Sequence, residues 1–134
     1  MSDAKVELFD VALKGCRKYA LSVATFHVAS TVVATRCEFA NCRSGASVQG
    51  SLTSAKFDNC VFHDNEQDGM YVSDEATIHL HGETTAIHSN RIDGIYVQKY
   101  AKVVIHLPSH HNTSYNNGER DRRSLSGGTI TNVD

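Results

Sequence analysis

The chain of 134 residues has no tryptophan, a single proline and no apolar run near the length of a membrane span. A helical span needs about 18 consecutive apolar residues, so no membrane partner is expected. An excess of charge of one sign is also missing. Thirteen Lys and Arg face fifteen Asp and Glu, for a net charge of -2, and that balance creates no field to steer nucleic acid or an anionic membrane. The four cysteines contain no CxxC pair, which predicts buried thiols rather than a disulfide scaffold. The opening MSDAKVELFD has neither a basic start nor an apolar stretch of signal type. That predicts a cytosolic protein or a piece excised from a longer one.

What the chain does have is Val, Thr and Ser in quantity, a composition that suits strands and turns, and a repeated phrase. NEQDGMYV at residues 65–72 returns as NRIDGIYV at residues 90–97. The pattern N-xxx-G-x-x-V fits Asn41, Gly45 and Val48, then Asn65, Gly69 and Val72, then Asn90, Gly94 and Val97. A weaker copy starts at Cys16, with Ala20 and Val23 in the Gly and Val places, so the valines advance by 25, 24 and 25 residues. Between anchors the chain alternates apolar and polar: DEATIHLHG after Val72 aligns with KYAKVVIHL after Val97. Shorter alternating runs precede each Asn, as at Cys37 and Phe39 or Cys60 and Phe62. Each repeat thus holds three strand-like pieces and has no room for a crossover helix.

A unit of 24 to 25 residues cannot bury its own apolar side chains, but stacked copies share one continuous core and three parallel sheets. The expected fold is all-β, a single-stranded parallel β-helix of about five coils filling one domain over residues 1–134. Coils are expected over about residues 10–107. The Asn turn followed by a Gly-apolar-x-Val strand resembles the right-handed parallel β-helix family, the scaffold of pectate lyases, polygalacturonases and related carbohydrate-binding and sugar-hydrolase domains. The resemblance implies right-handed winding, which the usual handedness of parallel crossovers also favours. Residues 108–134 hold the proline and a Ser, Asn and Gly excess, and are expected to form a loop-rich tail. Asn116 or Asn117 could start one more turn there, and GGTITNV could supply a last strand.

Stacking turns sequence spacing into contact, because equivalent residues of adjacent coils lie about 4.8 Å apart. Asn41, Asn65 and Asn90 are expected to form an inward ladder bonded along the stack. Gly45, Gly69 and Gly94 are expected at tight or positive-φ turn positions. Tyr71 falls beside Tyr96 on the outward side, either packing across coils or forming a platform for a sugar or peptide. His81 falls beside His106 and His63 beside His88. Paired imidazoles suit divalent metals, yet neither pair has a third ligand at a compelling spacing, so no metal site is expected. Asp68 falls beside Asp93, and Glu66 beside Arg91, at the turns. Two adjacent carboxylates are either solvated turn residues, a Ca²⁺ site, or an acid and base pair. Cys37 and Cys60 are expected to point inward as small apolar residues.

The functional expectation is a non-catalytic binding or assembly module that uses the face around Tyr71, Tyr96, His81 and His106 to hold a polysaccharide or a protein. The family resemblance implies an alternative, a small lyase, epimerase or hydrolase on acidic polysaccharide with Asp68 and Asp93 as its carboxylates. Of the polygalacturonase motifs NTD, DD, GHG and RIK, only RID at residues 91–93 gives a partial match. A third reading is a self-assembling structural protein, since the ends of a β-helix expose unpaired strand edges that pair with further copies.

Overall fold

A computed structural model describes residues 3–25, 27–106 and 113–133. Every regular element among them is a strand. The first coil consists of β1 (Ala4–Phe9), β2 (Ala12–Lys14) and β3 (Tyr19–Ala24), and the second of β4 (Ser30–Thr35), β5 (Glu38–Ala40) and β6 (Ser44–Gln49). The third is β7 (Thr53–Asp58), β8 (Val61–His63) and β9 (Met70–Ser73), and the fourth β10 (Thr77–His81), β11 (Ala86–His88) and β12 (Asp93–Val97). The fifth is β13 (Lys102–His106), β14 (Ser114–Tyr115) and β15 (Arg120–Ser124), and β16 (Thr129–Val133) begins a sixth. The first sheet runs β1-β4-β7-β10-β13-β16, the second β2-β5-β8-β11-β14 and the third β3-β6-β9-β12-β15. All of these neighbours pair in parallel.

The coils therefore begin before residue 10 and continue past residue 107. The expected loop tail is stacked strand over β14, β15 and β16, in register with the coil below. Its low hydrophobicity concealed this, because β15 carries RDRRS, whose side chains are exposed or half-buried rather than in the core. Residues 107–112, which include the start of that tail, lie outside the described residues.

Left-handed residues turn most of the described corners. After the first sheet these are Asp10, Arg36, Asn59 and Gly82, with φ of 54°, 52°, 54° and 94°. After the second they are Gly15, Asn41, Asp64, Ser89 and Asn116, with φ of 72°, 56°, 55°, 57° and 54°. Gly, Asn and Asp tolerate this conformation best, which explains their recurrence between the strands.

That assignment corrects the expected place of Asn41, which is an exposed corner residue and not a ladder member. Cys42 holds the ladder position instead. Its N–H donates to Asn65 Oδ1 at 3.1 Å, the Asn65 N–H to Asn90 Oδ1 at 3.2 Å, and the Asn90 N–H to Asn117 Oδ1 at 3.1 Å. Below it, the Cys16 N–H donates to Cys42 Sγ at 3.1 Å. The second coil is one residue shorter between the ladder and its glycine, which shifts Asn41 into a false alignment with Asn65.

The glycines also need a different explanation. Gly45, Gly69 and Gly94 are absent from the positive-φ residues, and what excludes a side chain there is the neighbouring coil. A Cβ on Gly45 would lie 2.5 Å from the Gly69 carbonyl oxygen, and one on Gly69 would lie 2.4 Å from Ile87 Cγ2. On Gly94 it would lie 2.2 Å from Ser114 Oγ.

The core follows from alternation. Val32, Ala55, Ile78 and Val103 form one buried row of the first sheet, and Ala34, Phe57, Leu80 and Ile105 the next. Phe39 stacks on Phe62 at 4.7 Å between centroids and 13° between planes, while Phe57 meets Phe62 edge-on at 4.9 Å and 90°. Each such side chain contributes about 1.5–3 kcal/mol by burial. Cys37 and Cys60 are buried free thiols within this core, and burial pushes the Cys60 thiol up to about 12. At the β1 end the core is open among the described residues: Val6, in register with buried Val32, is 50% exposed.

Candidate functional site

The outer side of the third sheet carries a cleft of about 360 Å³ lined by Tyr19, Ser44, Gln49, Gln67, Asp68, Tyr71 and Tyr96. The outward row of this sheet reads Ser22, Ser47, Tyr71, Tyr96 and Arg123 in register. Tyr71 and Tyr96 meet edge-on, with centroids 5.4 Å apart and planes at 86°. They do not form a flat double platform. Gln98 fixes them, accepting from Tyr96 Oη at 3.2 Å and donating through Nε2 to Tyr71 Oη. The Arg123 guanidinium carbon sits 4.8 Å from the Tyr96 ring centroid, a cation–π contact that covers part of that ring. Tyr19, Tyr71 and Tyr96, all half-buried, together supply the aromatic lining of the cleft.

Asp68 and Asp93 stand at the entry of β9 and β12 but differ in access. Asp68 lines the cleft at 7% exposure, and its Oδ1 accepts the Asp93 N–H at 3.2 Å. Burial, reinforced by the Asp93 charge, pushes its pKa up to about 6. Asp93 is fully enclosed, its Oδ2 3.5 Å from Arg123 Nη1. Burial raises its pKa as well, against the pull of Arg123. Neither Asp93 carboxylate oxygen has a hydrogen-bond partner among the described residues. Asp68 alone of the two can touch a ligand in the cleft.

The histidines lie elsewhere. His81 and His106 belong to β10 and β13 of the first sheet, so they do not share a face with Tyr71 and Tyr96 as expected. The corner at Asp74 and Glu75, both left-handed, separates the two sheets. His81 stacks on His106 at 4.1 Å and 6°. His79, two residues before His81 and so on the same side of β10, brings Nδ1 to 2.8 Å from His106 Nε2. The expectation that no third imidazole stands near this pair is thereby corrected.

On the second sheet His63, His88 and Tyr115 stack at 5.3 Å and 5.2 Å. Both His63 nitrogens are occupied, Nε2 by Glu38 and Nδ1 by Asp64, each at 2.5 Å. Burial lowers the His63 pKa, but the two carboxylates outweigh it and the net shift is upward. With Lys14 at 2.9 Å from Glu38, this row is an ion-paired surface. A wider hollow of about 490 Å³ lies among the corner residues Arg36, Asn59, Gly82, Glu83 and Thr84. Arg36 is tied to Asp10 at 2.7 Å and Asn59 to the Thr84 hydroxyl at 2.8 Å, so most of its side-chain polar groups are already engaged.

Residues 2–132 match the family model described as the right handed beta helix region. The chain belongs to the right-handed β-helix family. No curated protein and no solved structure matches it. A right-handed β-helix supports many unrelated functions, and its repeat explains which site residues sequence reasoning missed. Tyr19 and Ser44, which share one row with the expected Asp68 at the start of the third-sheet strands, are legible only once the first coil is aligned strand by strand. His79 was legible as the first histidine of IHLH, since alternate residues of a strand share a face. Arg123 is not placeable from sequence, because β15 carries no apolar alternation to mark it as a strand.

Proposed function

We propose that this right-handed β-helix is a non-catalytic binding module that holds a glycan segment in the third-sheet cleft. The observation that carries the reading is the composition of that cleft. The rings of Tyr19, Tyr71 and Tyr96 line it together with hydroxyl and amide groups of Ser44, Gln49 and Gln67 and the Asp68 carboxylate. Ring faces for C–H surfaces and convergent polar groups for hydroxyls are the chemistry of sugar recognition. A carboxylate in the cleft favours a neutral glycan over an acidic one. The enclosure of Asp93 speaks against hydrolysis, because two-carboxylate mechanisms need both groups at the scissile bond.

Calorimetric titration with neutral and acidic oligosaccharides, with Ca²⁺ and with chelator, tests this. The expected result is binding of neutral chains without turnover, weakened about tenfold or more by Tyr71→Ala, which is about 1.4 kcal/mol. Turnover of an acidic polysaccharide that disappears in Asp68→Asn would replace the reading with a carbohydrate-active enzyme, and the absence of any binding would end it.

A second reading, assembly with another copy of the chain, is favoured by the open β1 end, where Val6 and Phe9 are 50% and 54% exposed. Sedimentation over a wide concentration range should then give a mass that rises with concentration, and Val6→Lys should suppress the rise. A constant monomer mass contradicts it.

A further inference from the structure

We infer that His79, His81 and His106 form a binding site for a divalent late transition metal ion of the Zn²⁺ class, bridging the fourth and fifth coils. The site stands on the first sheet, apart from the glycan cleft, and does not depend on it. One ligand nitrogen from each ring lies within 4.8 Å of the others. Tetrahedral Zn²⁺ with bonds of 2.0–2.1 Å places its ligands about 3.4 Å apart. The His79 and His106 nitrogens, now 2.8 Å apart, would open by about half an ångström, and the wider separations, none above 4.8 Å, would close by at most about 1.4 Å. The parallel stack of His81 on His106 must open, because one ion cannot lie in two parallel ring planes, and rotation of the rings about their side-chain bonds achieves this from the positions that the backbone already sets. His79 and His81 project from the same side of β10, and His106 ends the neighbouring strand.

The donor set selects the class of ion. Three imidazoles suit Zn²⁺, Cu²⁺ or Ni²⁺, whereas Ca²⁺ and Mg²⁺ require oxygen ligands. All three residues are half-buried, so the cluster is partly dehydrated yet open to an entering ion, with a fourth position left for water. Burial and then the neighbouring His106 and Lys56 lower the pKa of both His79 and His81, with Asp58 opposing at His81. Neutral imidazole is the form that binds metal. Lys56 is in register with His79 and Asp58 with His81; the lysine's long stem lets its ammonium swing aside, while the carboxylate supplies a counter-charge beside the ion. The second-sheet histidines make a natural contrast. His63 cannot ligate without surrendering Glu38 or Asp64.

The test is competition of the full chain against a chromophoric chelator for Zn²⁺ alone, with thermal melts run in parallel. The expected result is one ion per chain, about tenfold or greater loss of affinity in His79→Gln and separately in His106→Gln, and no change in the His63→Gln, His88→Gln double variant. Zn²⁺ should raise the melting temperature of the wild type and not that of His79→Gln. Metal-free melts establish that each variant is folded, and His81→Gln serves should one of the others unfold. Unchanged affinity in the folded first-sheet variants would overturn the site, as would a loss that follows substitution of His63, His88, His110 or His111 instead.

Discussion

Asn90 Oδ1 accepts two hydrogen bonds from Asn65, one from its backbone N–H at 3.2 Å and one from its side-chain Nδ2 at 2.9 Å. The Asn90 amide in turn donates to the Phe62 carbonyl at 3.2 Å and to Asn117 Oδ1 at 2.9 Å. One buried side chain thus satisfies groups of the coils on either side of its own, at a corner where the backbone has left its sheet. Removing it orphans several of them. Asn90→Ala is expected to cost about 3 kcal/mol. Asn41→Ala, at an exposed left-handed corner, should cost about 1 kcal/mol, and Asn41→Gly close to nothing. Urea denaturation of the three variants checks this, and equal losses at Asn41 and Asn90 would restore the ladder alignment that the structure rejects.

Gly69→Ala should destabilise by about 3 kcal/mol, the upper range for overpacking. The added methyl meets Ile87 Cγ2 at 2.4 Å, and also the Gly94 carbonyl oxygen at 2.7 Å. The backbone of the next coil cannot retreat without opening its sheet. Gly15→Ala, where nothing lies within 4 Å, should cost only the left-handed strain of about 1 kcal/mol. Comparing the two by thermal unfolding separates steric exclusion from conformational freedom.

Asp68 makes stability depend on pH. Its pKa of about 6 in the native state exceeds the value of about 3.9 in the unfolded chain, so the folded form holds its proton more tightly. Its contribution is greatest below about pH 4 and is lost as pH rises through about 6. Asp68→Asn keeps an oxygen to accept the Asp93 N–H and removes the loss. The variant should therefore be more stable than the wild type at pH 8, by roughly 2–3 kcal/mol, and equal to it at pH 4. Denaturation at the two pH values measures the difference.

Arg123 neutralises the enclosed Asp93 from 3.5 Å while lying over Tyr96. Arg123→Ala should destabilise by about 3 kcal/mol near neutral pH by leaving a buried carboxylate unpaired. In an Asp93→Asn background the same substitution should cost about 1 kcal/mol, the packing on Tyr96 alone. A double-mutant cycle reads the coupling, and additive losses would remove the ion pair from the account.

The fold was legible because the repeat imposes the same physical demands every 23 to 27 residues: apolar alternation for three strands and a left-handed residue between them. What blurred the site was a single missing residue between Cys42 and Gly45. It hid Cys42 as a ladder member, because the adjacent Asn41 takes that place when the phrases are aligned on their glycines. The polar fifth coil was hidden for a related reason. With β15 carrying little apolar surface, periodicity has nothing to count there, and backbone pairing to β12 holds it in place. Faces were harder still. Tyr71 and His81 are ten residues apart in sequence, and only the left-handed pair Asp74 and Glu75 turns them onto different sheets.

The most direct test of the binding account is amide chemical-shift mapping of the protein by NMR while a neutral oligosaccharide is added. The account predicts dose-dependent shifts at Tyr19, Ser44, Gln49, Gln67, Asp68 and Tyr71, with the first-sheet amides around His79 and His81 unmoved. Shifts confined to another face, or none with any neutral chain, would contradict it.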